Sequence, residues 1–111
     1  MTDKAKKYLS DLLFAIELVE AFTEDIHSFF DYEADVKTRS AVERQLAIIG
    51  EAVNHFEKEE TGHELSNTRQ IVDFRNRLIH SYDNIDNAIV WVVLKKHLPT
   101  LKSEAKQILE K

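Results

Sequence analysis

Eight consecutive residues, Arg75-Asn76-Arg77-Leu78-Ile79-His80-Ser81-Tyr82, hold two arginines, a histidine and a tyrosine in a chain of net charge −5. These residue types match what metal-free cleavage of a phosphodiester requires. One group must take the 2′-hydroxyl proton, a cation must meet the charge developing on phosphorus, and an acid must protonate the leaving oxygen. Histidine suits proton transfer because its ordinary pKa lies near neutrality. Arginine suits the phosphorane because its planar fork donates two parallel hydrogen bonds. Arg75 and His80 are therefore the candidate catalytic pair. Asn76 and Arg77 are auxiliary candidates, although Asn76 is more simply a local hydrogen-bonding residue and Arg77 could equally point to solvent. A plainer explanation competes: basic residues in the last turn of a helix complement its dipole. On composition alone that explanation is the stronger, because a short basic cluster is a weak signal.

Other chemistries find little support. The chain has no cysteine, which removes disulfides, thiolate metal sites and a cysteine nucleophile. Two glycines leave no Gly-rich phosphate loop and no Gly-x-Ser-x-Gly elbow. The five histidines are scattered, and the one Glu-x-x-His, Glu60-Thr61-Gly62-His63, falls in a glycine-containing loop. Glu51 and His55, four apart, read as an exposed ion pair. Neither a metal nor a cofactor is expected. The acidic balance argues against coating nucleic acid non-specifically, but a few arginines can still dominate one cleft.

The elements that must position Arg75 and His80 are helices. One proline and two glycines in 111 residues are too few for many tight turns. The length predicts one domain spanning residues 1–111 with a single core. Tyr8, Leu12, Ala15, Val19, Phe22, Ile26 and Phe29 recur at helical spacing, predicting a first helix from about Lys4 to Phe30 with a possible break at Thr23 to Asp25. Phe29-Phe30-Asp31-Tyr32 reads as a link folded back on the core. Val42, Leu46, Ile49, Val53 and Phe56 predict a second helix over about Asp35–Lys58, unless Ser40 and Glu43 form a capping box that starts it later. Gly50 within it marks close approach by another helix, in the same chain or across a dimer. Glu57 to Asn67 reads as a loop, and Ser66 or Asn67 can cap a third helix whose apolar edge is Ile71, Phe74, Leu78 and Ile79. Asp83 to Asp86 is a turn, Ala88 to Leu94 a buried helix, and Pro99 opens a last helix to about Glu110. The expected architecture is an all-α, up-down bundle of four or five helices. The polar N-terminus lacks a signal-peptide pattern and the longest apolar run is Ala88 to Leu94, so no membrane span and a cytoplasmic location are expected.

Arg75, four residues, His80, one residue, Tyr82 matches the Arg-x4-His-x-Tyr signature of the HEPN superfamily, and the chain resembles its HepT-like branch of small toxin–antitoxin proteins. The resemblance extends through Ala41 to Ala52 with its Ile49-Gly50-Glu51-Ala52 core, and through the Arg75-Asn76-Arg77-Leu78-Ile79-His80 stretch. It continues at Trp91 and Leu98-Pro99-Thr100-Leu101, in order over nearly the whole chain. It departs in the loop from Gly62 to Arg69, which lacks the branch's usual proline and tryptophan. The resemblance implies a HEPN-like bundle forming a symmetric homodimer, with Arg75 and His80 of both copies lining a shared cleft. It implies the toxin of a type VII-like pair, a metal-independent endoribonuclease acting on RNA. It further implies an MNT-type nucleotidyltransferase antitoxin that transfers AMP to Tyr82. Two alternatives stay open from the residues: a non-catalytic subunit that binds a nucleotide or the nucleotidyltransferase, and a plain dimerisation module.

Overall fold

The computed structural model describes residues 1–60 and 62–110, and Tyr82 through its backbone alone. Thr2 starts the first helix, α1 (Asp3–Phe22), by accepting the Ala5 N–H on its hydroxyl at 3.0 Å. Leu9, Leu12, Ala15, Ile16 and Val19 form its buried stripe. The helix ends at Phe22, at the break expected over Thr23 to Asp25, and does not continue to Phe30. The Thr23 hydroxyl and backbone N–H both donate to the Val19 carbonyl, at 2.8 and 3.0 Å, and close the last turn. Ile26 and Phe29 therefore belong to the segment that follows. Ser28 caps the short α2 (Phe29–Ala34), and of the link only Tyr32 is fully buried. Phe30, expected to fold back with it, stands 80% exposed.

Asp35 opens α3 (Val36–Glu59) by accepting both the Thr38 N–H at 3.0 Å and the Thr38 hydroxyl at 2.7 Å. That cap comes a turn before Ser40, so the Ser40–Glu43 start is not the one used. Val42, Leu46, Ile49, Val53 and Phe56 all face the core. The helix runs on to Glu59, into residues expected to be loop, and Leu65 and Ser66 anchor what remains. Leu65 is buried, and Glu104 accepts from both the backbone N–H and the hydroxyl of Ser66.

The Asp35 cap carries a charge-dependent contribution. Hydrogen bonds from the Thr38 backbone and hydroxyl hold its carboxyl below the ordinary range. A carboxyl with a lower pKa in the folded chain stabilises it above the unfolded value and loses that contribution as pH falls through the folded value. From about pH 5 to about pH 3 the melting temperature of the parent is expected to fall more steeply than that of Asp35→Asn. Parallel slopes would show that the cap works without its charge.

Asn67 precedes α4 (Thr68–His80) in the left-handed region, at φ 60°, and makes no side-chain cap, unlike the capping role expected of it. Ile71 and Leu78 are buried, but Ile79 is 45% exposed and leaves the predicted apolar edge. After a single 3₁₀ turn (Tyr82–Asn84), Asp86 accepts the Ala88 N–H at 2.8 Å and starts α5 (Asn87–Val92). The chain then widens into a π turn over Val93–His97, where the Leu98 N–H reaches the Val93 carbonyl, and continues as α6 (Leu98–Leu109). Pro99 sits in the first turn of α6, where a missing N–H costs least. Ala88 to Leu94 is helical as expected but not buried throughout: Val90 and Val93 are inside, whereas Ile89 and Val92 are 39% and 43% exposed.

Helix α3 packs along α1, with α4 on α3, α6 on α1, and α2 between α3 and α5. Thr2 meets Glu59, and the rings of Tyr8 and His55 stack at 5.2 Å, so α1 and α3 run antiparallel. The Lys102 ammonium joins α6 to Glu20 of α1 at 2.9 Å. Among the described residues the architecture is an all-helical bundle of five helices when α5, the π turn and α6 are taken as one. Among the described residues no helix is long and apolar enough to cross a membrane.

Candidate nucleic-acid site

All four candidate site residues described with their side chains lie in the last two turns of α4, and they differ in environment. Arg75 is half-buried, while Asn76, Arg77 and His80 are exposed. The stem of Arg75 lies against α3 at Gly50, a contact that only a residue without a Cβ permits. This settles the question left open by Gly50: the helix approaching it belongs to the same chain. A dimer contact centred on Gly50 is accordingly not available.

The Arg75 Nε atom is buried without a hydrogen-bond partner among the described residues. None of the ion pairs found among those residues involves Arg75, Arg77 or His80. By contrast, His55 contacts Glu51 at 3.4 Å, the exposed pair expected from their spacing. Among the described residues no group of three or more His, Asp or Glu side chains is placed to hold a metal ion.

Helical geometry separates the proposed pair. At about 100° per residue, His80 lies about 140° around α4 from Arg75 and about 7.5 Å along it. Arg77 and His80, three apart, share a side of the helix instead. Arg77 opens onto a groove of about 320 Å³ between α4 and the α5–π-turn segment. Its floor includes Ile71, Phe74, Ile89 and Val92, and its polar members include Asp73 and His97. Asp73 and His97 were not singled out from the sequence. The available signal was the Lys95-Lys96-His97 run before Pro99, which coincides with the π turn, a feature frequent at functional sites. Tyr82, the AMP acceptor that the resemblance implies, has its side chain outside the described residues.

Comparison with known proteins follows the same residues. The family model described as "Ribonuclease HepT-like" matches residues 12–108, which include the whole Arg75–Tyr82 stretch. The chain is 38% identical over 104 residues to "Probable ribonuclease HepT" of Thermococcus cleftensis, covering 93% of this chain and 94% of that one. It is 34% identical over 107 residues to "Putative RNase TTE0752" of Caldanaerobacter subterraneus subsp. tengcongensis, covering 96% and 95% respectively. A third relative, "Gamma-glutamylcyclotransferase and putative RNase MJ0434" of Methanocaldococcus jannaschii, is 33% identical over 113 residues, and there the match covers half of a longer protein. No solved structure matches the chain significantly. Family model, full-length relatives and helical bundle agree: the chain belongs to the HepT-like ribonuclease family of the HEPN superfamily.

Proposed function

We propose that this chain is a cytoplasmic ribonuclease toxin that cleaves RNA without metal, as a symmetric homodimer whose cleft is lined by Arg75 and His80 of both copies. The observation that carries the reading is that, in a member of a ribonuclease family, the motif arginine and histidine are held by no ion pair among the described residues. Neither residue is engaged by a described carboxylate, so both can meet a phosphate. In the proposed reaction one His80 takes the 2′-hydroxyl proton as that oxygen attacks phosphorus, and the P–O5′ bond breaks. The second His80, protonated, gives its proton to the departing 5′ oxygen, and Arg75 stabilises the phosphorane between them. Arg77 and Asn76 assist by holding the flanking phosphates.

The separation of Arg75 and His80 around α4 supports the dimer. A two-fold axis can set the arginine of one copy opposite the histidine of the other, which a single helix face does not. Two copies also double the local positive charge in an otherwise acidic protein. Ile89 and Val92, exposed beside the groove that Arg77 lines, supply apolar area for that contact. Regulation in this reading falls to an MNT-type nucleotidyltransferase that adds AMP to Tyr82. The new phosphate pairs with Arg75 or Arg77 and occupies the place of the RNA phosphate.

The test is cleavage of RNA by purified protein in the presence of a chelator, with the molar mass read by light scattering. Undiminished cleavage by a dimer supports the reading. A monomer at micromolar concentration removes the shared cleft, and RNA or nucleotide bound without cleavage points to the non-catalytic subunit instead. Incubation with the partner and ATP should add AMP to the parent and none to Tyr82→Phe, as read by intact mass.

A further inference from the structure

Gly50 lies on α3 opposite Arg75, and its missing side chain is occupied by another residue's stem. A Cβ added at Gly50 would fall within contact of the Arg75 Cβ, 2.8 Å from its Cγ and 3.3 Å from the Ile71 carbonyl oxygen. The Cγ alone would have to retreat by more than about half an ångström to regain ordinary contact. Nothing else among the described residues fixes this arginine, because its Nε has no partner and no carboxylate pairs with it. Among the described residues its direction is therefore set by packing, and part of the packing surface is the bare backbone of α3 at Gly50.

We infer that Gly50 is a positioning residue for Arg75: it seats the arginine stem flush on α3 and so aims the guanidinium. Its consequence for catalysis rests on the ribonuclease reading above, whereas the geometry does not. A side chain held only by steric fit responds to a small push with a change of direction. Displacement of a catalytic group by about 1 Å costs on the order of 10²-fold in rate. A purely architectural role competes, in which Gly50 serves only the close approach of the Ile71 carbonyl. The two roles differ in what happens when the Arg75 stem is removed.

The experiment compares the parent, Gly50→Ala, Arg75→Gly and the double variant Gly50→Ala/Arg75→Gly. The readouts are single-turnover RNA cleavage, melting temperature, and the NMR resonance of the Arg75 Nε–H. Gly50→Ala should slow cleavage by about 10²-fold, shift the Nε–H resonance and lower the melting temperature. In the Arg75→Gly background the same change should cost no further cleavage. There it should raise the melting temperature, since alanine is the better helix former and the two nearest atoms it struck are gone, leaving only the milder approach of the Ile71 carbonyl. Parental cleavage by Gly50→Ala with an unmoved Nε–H resonance would overturn the inference, as would an equal melting loss in both backgrounds. Should Gly50→Ala not fold, recovery of folding in the double variant supports the inference, and failure to recover assigns the glycine to the Ile71 carbonyl. A parent that cleaves no RNA defeats the ribonuclease reading, yet the resonance and the reversed melting shift still decide the positioning.

Discussion

Replacing His80 with alanine is expected to lower RNA cleavage by about 10²–10⁴-fold while leaving helical content unchanged. The reason for the second half of that result is structural. His80 is the last residue of α4, exposed and outside the core, so its ring supports no packing. Arg75→Ala should act through transition-state charge, with a loss of about 10²–10³-fold, the scale measured when one preorganised donor to a developing charge is removed. Alanine at position 75 keeps the Cβ that rests on Gly50, so the α3–α4 contact survives. Circular dichroism and single-turnover cleavage, measured on the same preparations, check both. The helix-dipole explanation predicts something different: a stability change within about 1 kcal/mol for His80→Ala and no loss of cleavage. Parental cleavage by either folded variant would take that residue out of the site.

The second large effect lies in the core at Tyr32. Its ring is fully buried, 5.9 Å from Trp91, and links α2 to α5. Tyr32→Ala should cost about 3–5 kcal/mol, the range for deleting a buried aromatic ring. That is a large share of the ~5–15 kcal/mol that holds an ordinary domain together. Tyr32→Phe should instead be neutral or stabilising within about 1 kcal/mol. The hydroxyl is buried without a partner among the described residues, and burial pushes the phenol pKa well up. Removing it relieves a desolvated group and opens no cavity of consequence. Urea unfolding of the three proteins would measure both differences. A loss for Tyr32→Phe comparable to that for Tyr32→Ala would mean that the hydroxyl is satisfied after all and that the ring is not what matters.

The arrangement of Arg75 also bears on how an acidic protein could handle RNA. The charge of the whole chain repels a polyanion at long range, but that repulsion is screened over about 8–10 Å at physiological salt. Inside that distance the charges in the last turns of α4 govern, and a second copy would add its own. Cleavage should accordingly depend on local geometry, including the seat of Arg75 on Gly50, more than on net charge.

The amino-acid sequence by itself determined the helical class, the α3 core stripe and the location of the candidate chemistry. Val42, Leu46, Ile49, Val53 and Phe56 repeat at a period that only a helix converts into one face, and all five are buried there. Asp35 could be read as a helix start because capping is local, involving Thr38 three residues on. The Arg75–Tyr82 cluster was visible because residue types and spacing are properties of the chain. Tertiary structure decided the rest, where the outcome depends on atoms far apart in sequence. Ile79, Ile89 and Val92 have core-like side chains, but no described helix covers them fully, so they remain exposed. The break at Thr23 was legible because it is local, but that Tyr32 then meets Trp91 is settled by how α2 lies against α5. A mid-helix glycine announces close approach but carries no information about what approaches. That the approaching group is the stem of the motif arginine follows only from how α4 lies across α3, since contact at van der Waals distance is settled by packing and not by spacing along the chain.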